Sequence, residues 1–195
     1  MEKFTKIKKT QEIQSQKENE MAYDGKYIKV KVDDDWEYTI ESDCVVCLVY
    51  IKDEGYVIMR SEPVPPWSYN QRNNTQKLSG LFLTLISGTI EDGETPQGCL
   101  RRELYEEAGI VMSEFKQLVI DDPVYRSKGS TGKYYTCLLE LNYNDYKLVA
   151  APGDGSKSEK MSKTIKISVA DLDNIKVNDM ISKYLIDKMK NEYNL

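Results

Sequence analysis

The sequence predicts an α+β domain: one central sheet, one helix inserted in its middle and another at its end. Three observations carry that prediction. Strand-length apolar stretches recur from Lys26 to Leu141, a segment of helical period (Pro96–Ala108) interrupts them, and a second such segment closes the chain near VNDMISKYLIDKMKNEY. A hydrophobic content of 40% against 30% charged residues gives 195 residues enough apolar material for a folded core.

The elements follow in order. Residues 1–22 are polar and mixed in charge, which predicts a loose arm ahead of a single domain over 23–195. YIKVKV and WEYTI alternate on either side of Asp33–Asp35 and read as a hairpin spanning residues 27–40. CVVCLVYI reads as a buried strand, Lys52–Gly55 as a turn, and YVIMR as its partner. SEPVPPWSYNQRNNTQKLSG is a long polar loop, after which LFLTLIS returns to strand character. EFKQLVID and the two halves of PVYRSKGSTGKYYTCLLEL are further strands, the latter pair around a Gly/Ser turn. A second polar loop, APGDGSKSEKMSK, leads to the strand TIKISV and the closing helix.

Composition narrows the chemistry. The net charge of −5 and a pI near 5.0 argue against a broadly basic surface for nucleic acid. No apolar run approaches a membrane span and the first twenty residues lack the apolar core of a signal peptide, so a cytoplasmic protein without a membrane partner is expected. The four cysteines sit among apolar neighbours, and Cys44 and Cys47 point to opposite faces of a strand; buried core thiols are favoured over redox or metal work. There is no histidine. Histidine triads, histidine bases and ordinary Cys/His zinc sites are therefore excluded, leaving carboxylates, lysine, tyrosine or metal-bound water for acid–base work.

One segment departs from local electrostatics. In GTIEDGETPQGCLRRELYEEAGI, Thr95 caps a helix with Pro96 at its first position and Gly109 at its stop. Leu100, Leu104 and Ala108 form its buried stripe. Glu103, Glu106 and Glu107 crowd beside that stripe in an arc of roughly 100°, at the end where the helix dipole already disfavours anions. Like charges four apart cost about 0.2–0.5 kcal/mol. A solvated acidic face is the plain alternative. Three acids bordering the apolar stripe fit better with a hard cation that removes the repulsion, such as Mg²⁺ with a substrate phosphate.

The segment resembles the Nudix hydrolase signature, G-x5-E-x7-R-E-U-x-E-E-x-G-U with U aliphatic. The matching residues are Gly88, Glu94, Arg102, Glu103, Leu104, Glu106, Glu107, Gly109 and Ile110, which fill every specified position. The resemblance implies the Nudix fold, a mixed sheet between helices with a catalytic loop–helix–loop. It also implies hydrolysis of a nucleoside diphosphate linked to another group, with Mg²⁺ or Mn²⁺ as cofactor. Glu103, Glu106 and Glu107 would hold the metal, joined by the backbone carbonyl of Ser87; Arg102 would orient these acids and Glu94 would brace the turn.

Beyond the signature, the hairpin-first layout is similar to the ADP-ribose and nucleotide-sugar pyrophosphatase branch. That branch often places a substrate-binding arginine where Arg60 stands, and commonly dimerises through its N-terminal strands, so a homodimer through the hairpin is expected. Where the branch has Ser-Pro-Gly, this chain has Ser127-Lys128-Gly129, and Glu159 is the candidate base in the late loop. Trp67 either stacks on a base or packs its loop against the sheet, packing being favoured. Lys128, Lys133, Lys157 and Lys160 lie in the two polar loops, either solvated or meeting extra phosphates. Together with Tyr125, they make capped RNA or a dinucleoside polyphosphate the alternative substrate, and a nucleotide-sensing module is the non-enzymatic one.

Overall fold

The computed structural model describes residues 21–26, 28–33, 36–70, 75–76, 80–153, 155 and 159–195. They fall into two compact units. The first holds the residues up to Asp43 together with Val124–Tyr134. Its sheet has the order β1 (Met21–Asp24), β2 (Lys29–Asp33), β3 (Trp36–Ile40). β2 and β3 pair antiparallel from Lys29↔Ile40 to Asp33↔Trp36, the hairpin that their alternation predicts. β1 adds a third strand where the sequence suggested the end of a polar arm, since Met21 and Tyr23 gain an ordered backbone from pairing with Lys31 and Val30. In the same unit Val124 and Tyr125 pair with Tyr134 and Lys133 around the Gly/Ser turn.

The second unit contains Cys44–Pro123 and Tyr135–Leu195. Its strands are β4 (Cys44–Ile51), β5 (Tyr56–Pro63), β6 (Leu81–Thr84), β7 (Ile86–Thr89) and β8 (Gln117–Ile120). They are followed by β9 (Lys133–Leu141), whose first two residues belong to the other unit, and β10 (Lys163–Ser168). The order is β8-β9-β4-β5-β10, with β7 paired to β4 and β6 to β5. Helices α1 (Pro96–Ala108) and α2 (Met180–Tyr193) pack on this sheet.

β4 explains its own unbroken apolar sequence. Val45, Cys47, Val49 and Ile51 share one buried cluster with Leu100 and Leu104 of α1, whereas Tyr50 meets Tyr193 of α2 at a ring-centroid distance of 5.0 Å. A strand covered on both faces has no polar side to show. Cys47, Cys99 and Cys137 are buried and Cys44 half-buried, all as free thiols. Burial of Leu100 and Leu104 contributes about 2 kcal/mol each, which fixes α1 against the sheet and with it the acids along its border.

LFLTLIS does not form one strand. β6 pairs with β5 and β7 with β4, so the chain changes partner at Leu85, itself buried. That change brings the start of the acidic segment beside the middle of the sheet. Among the described residues, no helix is long and apolar enough to cross a membrane.

Candidate active site

α1 begins and ends as its sequence dictates. The Thr95 hydroxyl accepts the Gly98 N–H at 3.0 Å, and Gly109 closes the helix at φ 63°, its N–H donating to Tyr105 O at 3.0 Å. Gly109 is also required by space: a Cβ there would lie 2.1 Å from the Val149 carbonyl oxygen. The following segment ties itself to the helix end, with Val149 N–H donating to Gly109 O and Gly153 N–H to Glu106 O. Carbonyls left open by the last turn are thereby satisfied.

Arg102 is the centre of the charge arrangement. Its Nε and Nη2 donate to the two oxygens of Glu94 at 3.2 and 3.1 Å, a two-pronged contact. Nη1 donates to Glu103 Oε1 at 2.5 Å and Glu106 Oε2 at 3.2 Å, and Nη2 also reaches Thr89 O at 2.9 Å. One guanidinium thus joins the turn to two acids of α1, a geometry that the planar fork of arginine allows and lysine does not. It holds the Glu94 carboxyl below its ordinary range.

Glu103 lies on Gly88. An added Cβ at Gly88 would fall 1.8 Å from Glu103 Oε1 and 2.1 Å from its Cδ, so the missing side chain is the space the carboxylate occupies. Burial pushes Glu103 up to about 7 against the pull of Arg102, with Glu106 adding repulsion. Burial pushes Glu107 up to about 8, with Arg60 opposing and Glu62 adding to the rise.

Glu107 is held from three sides. Its Oε2 accepts the Ser87 N–H at 3.1 Å and its Oε1 lies 3.5 Å from Arg60 Nε. Its backbone carbonyl accepts Arg60 Nη1 at 2.8 Å and the Thr164 hydroxyl at 2.5 Å. Arg60 is only 4% exposed and sits directly across β5–β10 from Thr164. Glu62, two residues along β5, accepts the Thr84 hydroxyl at 2.6 Å.

The structure therefore brings together Arg60, Ser87, Glu94, Arg102, Glu103, Glu106 and Glu107. Thr164 and Glu62 join them without having been singled out in the sequence. The signal for Thr164 was its place opposite Arg60, which becomes visible only when the strand register is known. Trp67 sits on a 3₁₀ turn, Pro65–Ser68, edge-on to Phe82 at 5.3 Å, in the packing alternative. Glu159 opens the turn Glu159–Met161 ahead of β10. Lys157 lies outside the described residues. Lys128 belongs to the first unit, where it lines a cavity with Tyr125 and Lys133.

A hard divalent cation suits this donor set. The candidate ligands are all oxygen, two of the carboxylates are shielded enough that their charged forms are disfavoured, and oxygen donors are what Mg²⁺ and Mn²⁺ take. Among the described residues no three acidic side chains converge on one point; Arg102 and Arg60 provide the positive charge between them.

Comparison with known proteins identifies a family. The family model of the NUDIX domain matches residues 43–173, more than half of the chain. Among solved structures, the chain is similar to one from a structure and function analysis of MutT from the fish pathogen Aliivibrio salmonicida and from Vibrio cholerae. The identity is 17% and the TM-score 0.49, with 75% of this chain and 97% of that chain covered. No curated protein matches the chain.

Proposed function

The chain belongs to the Nudix family and is a hydrolase of phosphorus anhydrides, and on that premise we propose that it cleaves ADP-ribose or a related nucleoside diphosphate compound with Mg²⁺ or Mn²⁺. The observation that carries the reading is the carboxylate pair of buried Glu103 and half-buried Glu107 on one helix border, joined through Arg102 and Arg60 to the loop before the helix and to β5. Acids so placed are unfavourable without a cation and useful with one.

Glu103, Glu106, Glu107 and the Ser87 carbonyl would hold the metal. When bound, it neutralises the diphosphate and lowers the pKa of an attacking water. The chain's own residues do the rest. Arg102 keeps Glu103 and Glu106 aimed and ties them to Glu94, so the turn and helix act as one rigid support. Arg60 secures the end of the helix through the Glu107 carbonyl and brings a buried guanidinium to the acids, where it would meet a substrate phosphate. Ser87 N–H fixes one oxygen of Glu107. Glu159 is the proposed base for the attacking water.

The test is a substrate panel with product identification. Protein with Mg²⁺ or Mn²⁺ should release AMP from ADP-ribose with a higher kcat/KM than that for hydrolysis of nucleotide sugars, NADH, dinucleoside polyphosphates, nucleoside triphosphates or capped RNA. A higher value for capped RNA or a dinucleoside polyphosphate would replace the substrate assignment and keep the chemistry. No turnover anywhere in the panel would remove both.

A further inference from the structure

β5 carries an acid that lies outside the signature segment. Glu62 stands two residues beyond Arg60, so both side chains leave the same face of the strand, the face on which Arg60 meets Glu107 at 3.5 Å. Glu62 is half-buried, and among the described residues it forms no ion pair. Its partner is a hydroxyl: Thr84 donates to Glu62 Oε1 at 2.6 Å. We infer that Glu62 is a further residue of the cation site, a charge on the sheet side that offsets Arg60 and so leaves Glu107 able to attract a divalent ion. The inference rests on the proposed metal-dependent hydrolysis and adds to it a residue that the signature does not name.

Arg60 creates the need for such a charge. Its Nη1 donates to the Glu107 carbonyl at 2.8 Å and to the Thr164 hydroxyl at 3.3 Å. Those contacts lock the helix end, but they leave a permanent positive charge beside the carboxylate that a cation has to reach. A divalent ion arriving there is repelled by the guanidinium and meets an acid already partly neutralised. Arg102 divides its charge among Glu94, Glu103 and Glu106. At Arg60 the corresponding second acid is Glu62. Burial is the main cause of the rise in the Glu107 carboxyl, and the Glu62 charge adds to it against the pull of Arg60, so the two carboxylates feel each other.

Thr84 and Phe82 fix where that charge acts. Thr84 lies directly opposite Arg60 across β5–β6, and Phe82 directly opposite Glu62. The Thr84 hydroxyl holds one carboxylate oxygen, so Glu62 keeps its charge without closing on the guanidinium and cancelling it. Phe82, with Trp67 edge-on to it at 5.3 Å, sets an apolar wall beside the acid. A charge next to such a wall is felt farther than one surrounded by water. For the fold alone the arrangement is unfavourable, since a half-buried acid faces another acid and has no cation of its own. A glutamine there would keep the Thr84 bond without the repulsion, so the charge serves the site rather than the sheet.

Mn²⁺ binding to the full-length protein without substrate, read by electron paramagnetic resonance of the free ion, tests this independently of which nucleotide is cleaved. Glu62→Gln should weaken Mn²⁺ binding about tenfold, while the thermal midpoint of the metal-free protein stays equal or rises. Glu62→Asp keeps the charge and should stay within about threefold of the parent. Saturable binding by the parent with Glu62→Gln within about twofold of it would overturn the inference and leave the metal-dependent reading intact. Equal weakening in Glu62→Asp and Glu62→Gln would show that shape rather than charge matters, and a midpoint lowered by several degrees in Glu62→Gln would make the acid part of the scaffold; either overturns it. A parent protein that binds no Mn²⁺ would remove both the inference and the reading on which it rests.

Discussion

Gly88→Ala separates the role of the signature glycine from any role in the fold. The new methyl would stand 1.8 Å from Glu103 Oε1, where ordinary contact begins at 3.4 Å, so the carboxylate must retreat by at least the difference, 1.6 Å. The obstructing atoms, Oε1, Cδ and also Cγ at 2.4 Å, all belong to the one flexible side chain of Glu103, which can leave by changing rotamer. Stability therefore changes little, within about 1 kcal/mol, because the lost contact with Arg102 is offset by releasing a buried acid and by the lower chain entropy of alanine. Catalysis has no such offset. A misplacement near 1 Å costs about 100-fold, so kcat/KM should fall about 10²–10³-fold while the thermal midpoint moves by only a few degrees. The assay is metal-dependent turnover of the best panel substrate, alongside thermal denaturation of the same preparations. Glu103→Gln provides the cross-check: if Gly88→Ala acts through Glu103, the double variant is no slower than Glu103→Gln alone. Activity within about threefold of the parent, or full multiplication of the two losses in the double variant, would refute the reasoning.

Other outcomes follow from the same geometry. Arg102→Lys should lose several orders of magnitude in kcat, since one ammonium cannot reproduce contacts to Glu94, Glu103 and Glu106 together; turnover measurements with Arg102→Lys check it, and near-normal rates would contradict it. Glu103 and Glu107 titrate above their unfolded value near 4.5, so the folded state holds extra protons between pH 4.5 and about 8, and stability of metal-free protein should fall as pH rises through that window. Denaturant titrations at pH 5 and pH 8 in EDTA read the slope, and Glu107→Gln should flatten it. Mg²⁺ binding at pH 7 should release protons, seen as a calorimetric heat that depends on the ionisation enthalpy of the buffer. Thr164→Val removes a hydroxyl that donates to the Glu107 carbonyl, and should cost about 1 kcal/mol in chemical denaturation with a smaller effect on kcat than any acid of α1.

How much of this was legible depended on the range of the interaction concerned. The hairpin Lys29–Ile40, the buried β4 and both helices are written in local period and capping, and each was readable from its own residues. β1 was not, because four exposed residues, MAYD, gain their strand geometry only from β2. The break at Leu85 was hidden for a similar reason: LFLTLIS alternates smoothly, and the change from β5 to β4 belongs to the partners. At the site, the nine signature residues name the acids and Arg102, whose mutual contacts span at most eight positions along α1 and its turn. Arg60 and Thr164 meet Glu107 across 47 and 57 positions, and no spacing rule announces such a meeting. The same division explains the chemistry. Local sequence sets the acids on one helix border at an electrostatic loss, and long-range register brings the guanidinium of β5 to the last of them. Hydrolysis of a phosphorus anhydride needs both: the acids to hold a cation, and a frame stiff enough that their repulsion is spent on binding it rather than on moving apart.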